Sequence, residues 1–135
     1  MEIRNKVKSE VLKRKIQKEK ARRNLLEFLI YDGEGRYKES RHIEFLTGKI
    51  QGFIEKVRAG QSPRMYICMP PRHSKSETTT KKMPAWAVGN NPDWEIIIAA
   101  YNAELAGDFG KIARDTYKKH NRNGTKVFDN ELDRD

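Results

Sequence analysis

Cysteine occurs once in this 135-residue chain, at Cys68. One thiol excludes a disulfide framework and a cysteine-rich metal cluster. Its place inside an apolar run makes a small buried hydrophobe the expectation, not a reactive thiol. No run approaches the ~18 apolar residues of a membrane-crossing helix. The N-terminus is charged throughout and has no apolar core of the kind a secretory signal needs. Hydrophobic residues are only 36% of the chain and charged residues 35%, so a modest core is expected. The length suits one domain, intracellular in type.

The net charge of +9 is unevenly spread. Residues 1–23 hold ten Lys and Arg against Glu2, Glu10 and Glu19, a net of +7, which leaves +2 for the rest. Within that arm Ile3, Val7, Val11, Leu12 and Ile16 recur at helical spacing and predict a basic amphipathic helix. Such a helix can neutralise nucleic-acid phosphates, or pack its narrow apolar stripe on the domain or a neighbouring subunit. A membrane-surface role lacks the Trp or Phe it would use. The block Leu25–Asp32 follows, and Gly33-Glu-Gly35 reads as a boundary turn.

Ile43, Leu46, Ile50, Phe53, Ile54 and Val57 carry the clearest helical period and predict a helix over 41–59, stopped by Gly60. Met65–Met69, bounded by Ser62-Pro63 and Pro70-Pro71, predicts a buried strand. After the prolines come Arg72, His73, Ser74, Lys75 and Ser76, then a stretch free of Gly and Pro until Pro84. Strand, tight loop ending in Lys-Ser, and helix is the arrangement of a phosphate-binding loop. Backbone N–H groups in such a loop converge on one concavity at a helix N-terminus, where the dipole favours an anion. Lys75 would reach the β- and γ-phosphates, Ser76 would be a ligand of Mg²⁺, and Arg72 would add a planar fork suited to phosphate oxygens. Met69 and Ser74 stand where the generic motif has glycines.

That helix is expected to run to about Val88, with Trp86 in the core and Gly89-Asn-Asn-Pro92 as stop and turn. Trp94–Tyr101 predicts a second strand buried on both faces. Asn102 is expected to cap a helix whose inner face is Leu105, Ala106, Phe109, Ile112, Ala113, Thr116 and Tyr117. Strands alternating with helices imply an α/β fold, the start of a parallel sheet. Residues 121–135 read as a loop or frayed end.

Three blocks in order, Met69-Pro-Pro-Arg-His-Ser-Lys-Ser-Glu77, Pro84-Ala-Trp-Ala-Val-Gly-Asn-Asn-Pro92 and Ile96-Ile-Ile-Ala-Ala-Tyr-Asn-Ala-Glu-Leu-Ala106, resemble the large terminase subunit of tailed bacteriophages. The resemblance covers about residues 37–120; Ser74 departs from the commoner Gly of that family. It implies a partial P-loop ATPase fold, with a basic helical arm over 1–35 and the first portion of the ATPase domain over 36–135. It implies ATP and Mg²⁺ as cofactors, bound by Pro71, Arg72, His73, Ser74, Lys75, Ser76 and Glu77. Arg72 and Lys75 would be the catalytic cations, with Arg72 near the γ-phosphate. Arg41 and His42 are candidates to hold the adenine. Double-stranded DNA, portal protein and small terminase subunit are the implied partners, in a homo-oligomeric motor in the host cytoplasm during virion assembly, with no membrane.

Hydrolysis of this type needs carboxylates at the end of an apolar strand after the loop, and none follows Ser76. Asp108 and Asp115 fall on the predicted helix, and Asp129–Asp135 follow no apolar run. Leu25–Asp32 looks like such a strand but precedes the loop. The family's nuclease has no counterpart either. Little turnover by this chain alone is expected, with marginal stability or oligomerisation. Two alternatives stay open: a non-enzymatic basic nucleic-acid-binding protein with a residual P-loop, and a helicase-like P-loop ATPase.

Overall fold

The computed structural model describes residues 2–121 together with 127, 128 and 130. Among these described residues there are five α-helices, α1 (Glu2–Arg23), α2 (Leu25–Asp32), α3 (Arg41–Arg58), α4 (Met83–Asn90) and α5 (Ala103–Asn121), with a π-helical segment at Glu77–Lys82. No strand occurs among the described residues, which overturns the expected α/β parallel sheet. No helix there is long and apolar enough to cross a membrane.

The expected strands 65–69 and 94–101 run without ladder partners. Tyr66 is 92% exposed, Ile97 94% and Tyr101 88%. Cys68 is exposed rather than buried. The physical reason is that β-propensity specifies a surface to be paired, not a pair. Parallel pairing is stable mainly where both faces are covered, and two strands alone are marginal. Here the core is built mainly from helices, and the two runs reach it only through the half-buried side chains of Ile67, Met69 and Trp94.

Helix α3 forms as its sequence predicts. Ile43, Leu46, Thr47, Ile50 and Ile54 are buried on one face, Ser40 accepts the first backbone bonds through its carbonyl, and Gly60 ends the element at φ 79°. The break between α1 and α2 is held from α3. Gln51 accepts from the Leu25 N–H and donates to the Arg23 carbonyl, each at 3.1 Å. Asn24 caps α2 through Oδ1 to the Glu27 N–H. The apolar block Leu25–Asp32 is therefore a helix, with Leu25, Phe28 and Leu29 buried.

The core gathers Ala21, Leu25, Phe28, Leu46, Ile50, Ile54, Trp86, Ala87, Val127 and Phe128. Burying each large side chain contributes about 1.5–3 kcal/mol. Trp86 Nε1 donates to the Ala21 carbonyl at 3.0 Å, tying α4 to the end of α1. Phe128, only 1% exposed, belongs to a stretch expected to be a loop or frayed end; Asp129 and residues 122–126 and 131–135 lie outside the described residues. The helix does end within Gly89-Asn-Asn-Pro92, at Asn90, but Gly89 has a second role. It lies within α4, and a Cβ there would sit 2.5 Å from ring atoms of Phe128.

The helix after the loop opens at Lys75 and continues through the π segment into α4. Two features favour the wider turn. Pro84 has no N–H, and its ring would press on the Thr80 carbonyl in an α-helix. Thr78–Thr80 are β-branched, and Thr79 Oγ1 bonds back to the Lys75 carbonyl at 2.9 Å. The Met83 N–H instead reaches Thr78 O, five residues back.

Candidate functional site

Pro70 and Pro71 supply no N–H, so the chain leaves them without forming a ladder or a helix. Arg72 then takes φ 63° and Ser74 φ 59°, while His73 between them does not have positive φ. Left-handed backbone is costly for residues with a Cβ and gathers at ligand sites. Alternation of this kind turns successive N–H groups toward one side of the loop. His73 Nδ1 donates to the Pro71 carbonyl at 2.9 Å and fastens the turn. The Thr78 N–H then bonds the Ser74 carbonyl at 3.0 Å, the first full turn of the helix.

The structure therefore brings Pro71, Arg72, His73, Ser74, Lys75, Ser76 and Glu77 together as one loop and helix start. Arg72, Lys75 and Ser76 are exposed. Glu77 is held by Lys81 at 3.0 Å, one turn on, so its carboxylate is directed along the helix. Beneath it, Thr78 is fully buried, and its Oγ1 lies 3.4 Å from the Tyr37 hydroxyl. Burial pushes the Tyr37 hydroxyl above its ordinary value, and the Glu77 charge adds to that despite the Thr78 bond.

The segment ahead of the loop contributes as well. His42, in the first turn of α3, meets His73 edge to face with ring centres 5.6 Å apart. Arg41 and His42 line a cleft of about 640 Å³ with Phe45, Lys49 and the run Met65–Met69. Lys49 Nζ lies over the Phe45 ring at 5.3 Å. The loop and cleft thus adjoin at the His42–His73 contact, and their charged groups are cationic except Glu77.

One cluster was not foreseen. Asp32, at the end of α2, meets Lys82 at 2.8 Å, Lys119 at 3.3 Å and His120 at 2.8 Å. Burial alone would raise its carboxyl, but bonds from His120 and Lys82 and the charges of Lys82 and Lys119 hold it well below the usual carboxylate range. Nothing in the sequence pairs Asp32 with partners 50 to 88 positions away; only its place at the end of an apolar block singled it out. With two ammonium groups and the His120 ring around it, Asp32 is a structural hub. Asp108 and Asp115 are exposed on α5. No group of three or more His, Cys, Asp or Glu is placed to hold a metal among the described residues.

No protein-family model, curated protein or solved structure matches the chain.

Proposed function

We propose that the Pro71–Glu77 loop binds the phosphates of ATP with Mg²⁺, and that the chain is the ATP-binding part of a DNA-packaging motor of the large terminase kind. The observation that carries the reading is the left-handed backbone of Arg72 and Ser74 immediately before a helix that opens on Lys75-Ser76. The phosphate cradle needs a loop and a helix N-terminus; a sheet beneath them is not part of that requirement. Lys75 would place its ammonium on the β- and γ-phosphates and Arg72 would take the γ-phosphate oxygens. Ser76 would supply one oxygen to Mg²⁺, an ion that characteristically takes its other positions from phosphates and water. The cleft beside His42 is large enough for a purine, with Arg41 and His42 at its mouth. Hydrolysis by this chain alone would be slow, because among the described residues the carboxylate next to Ser76, Glu77, is held by Lys81 and not free to position water.

Double-stranded DNA is the partner proposed for α1. Its Lys and Arg are spread around a helix whose apolar residues are exposed from Ile3 (81%) to Ile16 (49%), so the basic surface is open to a polyanion. Portal protein, small terminase subunit, a homo-oligomeric assembly and a place in the host cytoplasm follow from the same resemblance.

The test is binding of a fluorescent ATP analogue with Mg²⁺ to the chain and to Lys75→Ala. Loss of binding in the variant supports the reading. Equal binding, or none in either protein, sinks it and leaves the basic nucleic-acid-binding alternative, for which α1 alone would suffice.

A further inference from the structure

From Glu95 to Tyr101 no backbone N–H or C=O is hydrogen-bonded among the described residues. The Trp94 N–H turns back to the Asn91 carbonyl, and the next bonded group is the Asn102 carbonyl at the start of α5. Side chains along the run alternate. Ile96 and Ile98 line a groove with Pro84 and Val88 of α4 and Ala113 and Tyr117 of α5. Ile97 is 94% exposed and Tyr101 88%, and Glu95 and Ala99 are exposed on the same side. A period of two is that of a strand. The run therefore lies on two helices as a strand would, with its pairing groups unused and Glu95 as its one charge. Such an edge is a template for another backbone.

We propose that this edge joins a second copy of the chain, antiparallel about a two-fold axis at Ile98. In that register Ile97 stands opposite the partner's Ala99, so a large side chain meets a small one. Glu95 stands opposite the partner's Tyr101, whose hydroxyl would donate to the carboxylate. No like charges then face each other along the run, whereas parallel pairing in register would set Glu95 against Glu95. A lone pair of strands is marginal, and packing against a helix supplies what it lacks. Each copy brings α4 and α5 beneath its own strand. Of the net charge of +9, +7 lies on residues 1–23, so little of the repulsion between copies comes from the domain that carries this edge. A contact of this self-complementary kind closes at two copies.

The test is sedimentation of the full chain over a series of concentrations, without nucleotide or DNA, for wild type and two double variants. Ile97→Lys with Ala99→Lys sets like charges opposite each other on both sides of the axis. Ile97→Lys with Ala99→Glu sets opposite charges there. Both positions are exposed, so both variants should keep the wild-type urea midpoint, measured alongside. Wild type and the opposite-charge variant should approach twice the mass of one chain. The like-charge variant should associate at least about tenfold more weakly.

The register is read separately in the Cys68→Ser background. Residues opposite each other in an antiparallel pair bring their Cα atoms within disulfide reach. Glu95→Cys chains should therefore cross-link with Tyr101→Cys chains, and neither with itself. A single-chain mass at every concentration, assembly beyond two copies, equal association of the two double variants, or self-cross-linking of either cysteine variant overturns the proposal. The phosphate loop takes no part in this contact, so the outcome is separate from that of the nucleotide test.

Discussion

Lys82 Nζ lies 2.8 Å from Asp32 Oδ2, with side chains only 17% and 8% exposed. That pair joins the end of α2 to the end of the π segment, and Lys119 and His120 bring the end of α5 to the same carboxylate. Three elements distant in sequence therefore meet at one charge.

Removing that charge leaves the Lys82 ammonium without its counter-charge and the buried His120 Nε2 without its hydrogen-bond partner. Asp32→Ala should cost about 3–5 kcal/mol, the usual penalty for breaking a buried pair from one side. Urea unfolding would measure it; a loss under ~1 kcal/mol would show the cluster to be solvated. The pH dependence has a definite sign. A carboxyl held low in the folded state means the unfolded chain binds more protons in acid. The contribution of Asp32 is complete above the ordinary aspartate range near ~4, then is lost as pH falls through that range and further. Asp32→Asn should flatten this acid limb.

Ser74 occupies left-handed backbone at φ 59°. Ser74→Gly should relieve that cost and raise stability by up to about 1 kcal/mol, while leaving nucleotide binding at or above wild type. Ser74→Val should lower both. If Ser74→Gly destabilises the chain in urea, the loop does not hold this conformation in solution.

Gly89 carries the Phe128 ring against its Cα, where a Cβ would come within 2.5 Å. Gly89→Ala should therefore destabilise by about 1–3 kcal/mol through overpacking, although alanine normally favours a helix. The double variant Gly89→Ala with Phe128→Leu should recover part of the loss. Additive losses would mean that the two positions do not touch.

The Lys residues of α1 are predicted to act through phosphate contacts alone. Replacing Lys6, Lys8, Lys13 and Lys15 with Ala should leave the urea midpoint unchanged, since all four are exposed. Affinity for double-stranded DNA should fall, and the slope of log K against log salt should shrink by about 0.9 for each lost contact. An unchanged slope would remove DNA as the partner of this helix.

What the sequence by itself determined is local. The 3.6-residue period of Ile43–Ile54 specified α3 and its buried face. Asn102 Oδ1 caps α5 by accepting from the Leu105 N–H at 2.8 Å, as its residue type predicts, and Trp86 is in the core. The order Pro-Pro-Arg-His-Ser-Lys-Ser specifies a loop and a helix start locally, because prolines and a short polar turn act on their immediate neighbours. Tertiary structure decided the rest. Met65–Met69 and Trp94–Tyr101 have strand composition, yet a strand exists only where another backbone pairs with it, and composition does not supply the partner. Gly89 lies in the stretch that ends α4, as its residue type predicts, but its second constraint, a ring from residue 128, is remote in sequence. The Asp32 cluster and the His42–His73 contact lay beyond any local pattern for the same reason. Charges and rings attract whatever the fold brings near them, and the fold follows from the summed burial of the core rather than from any one segment.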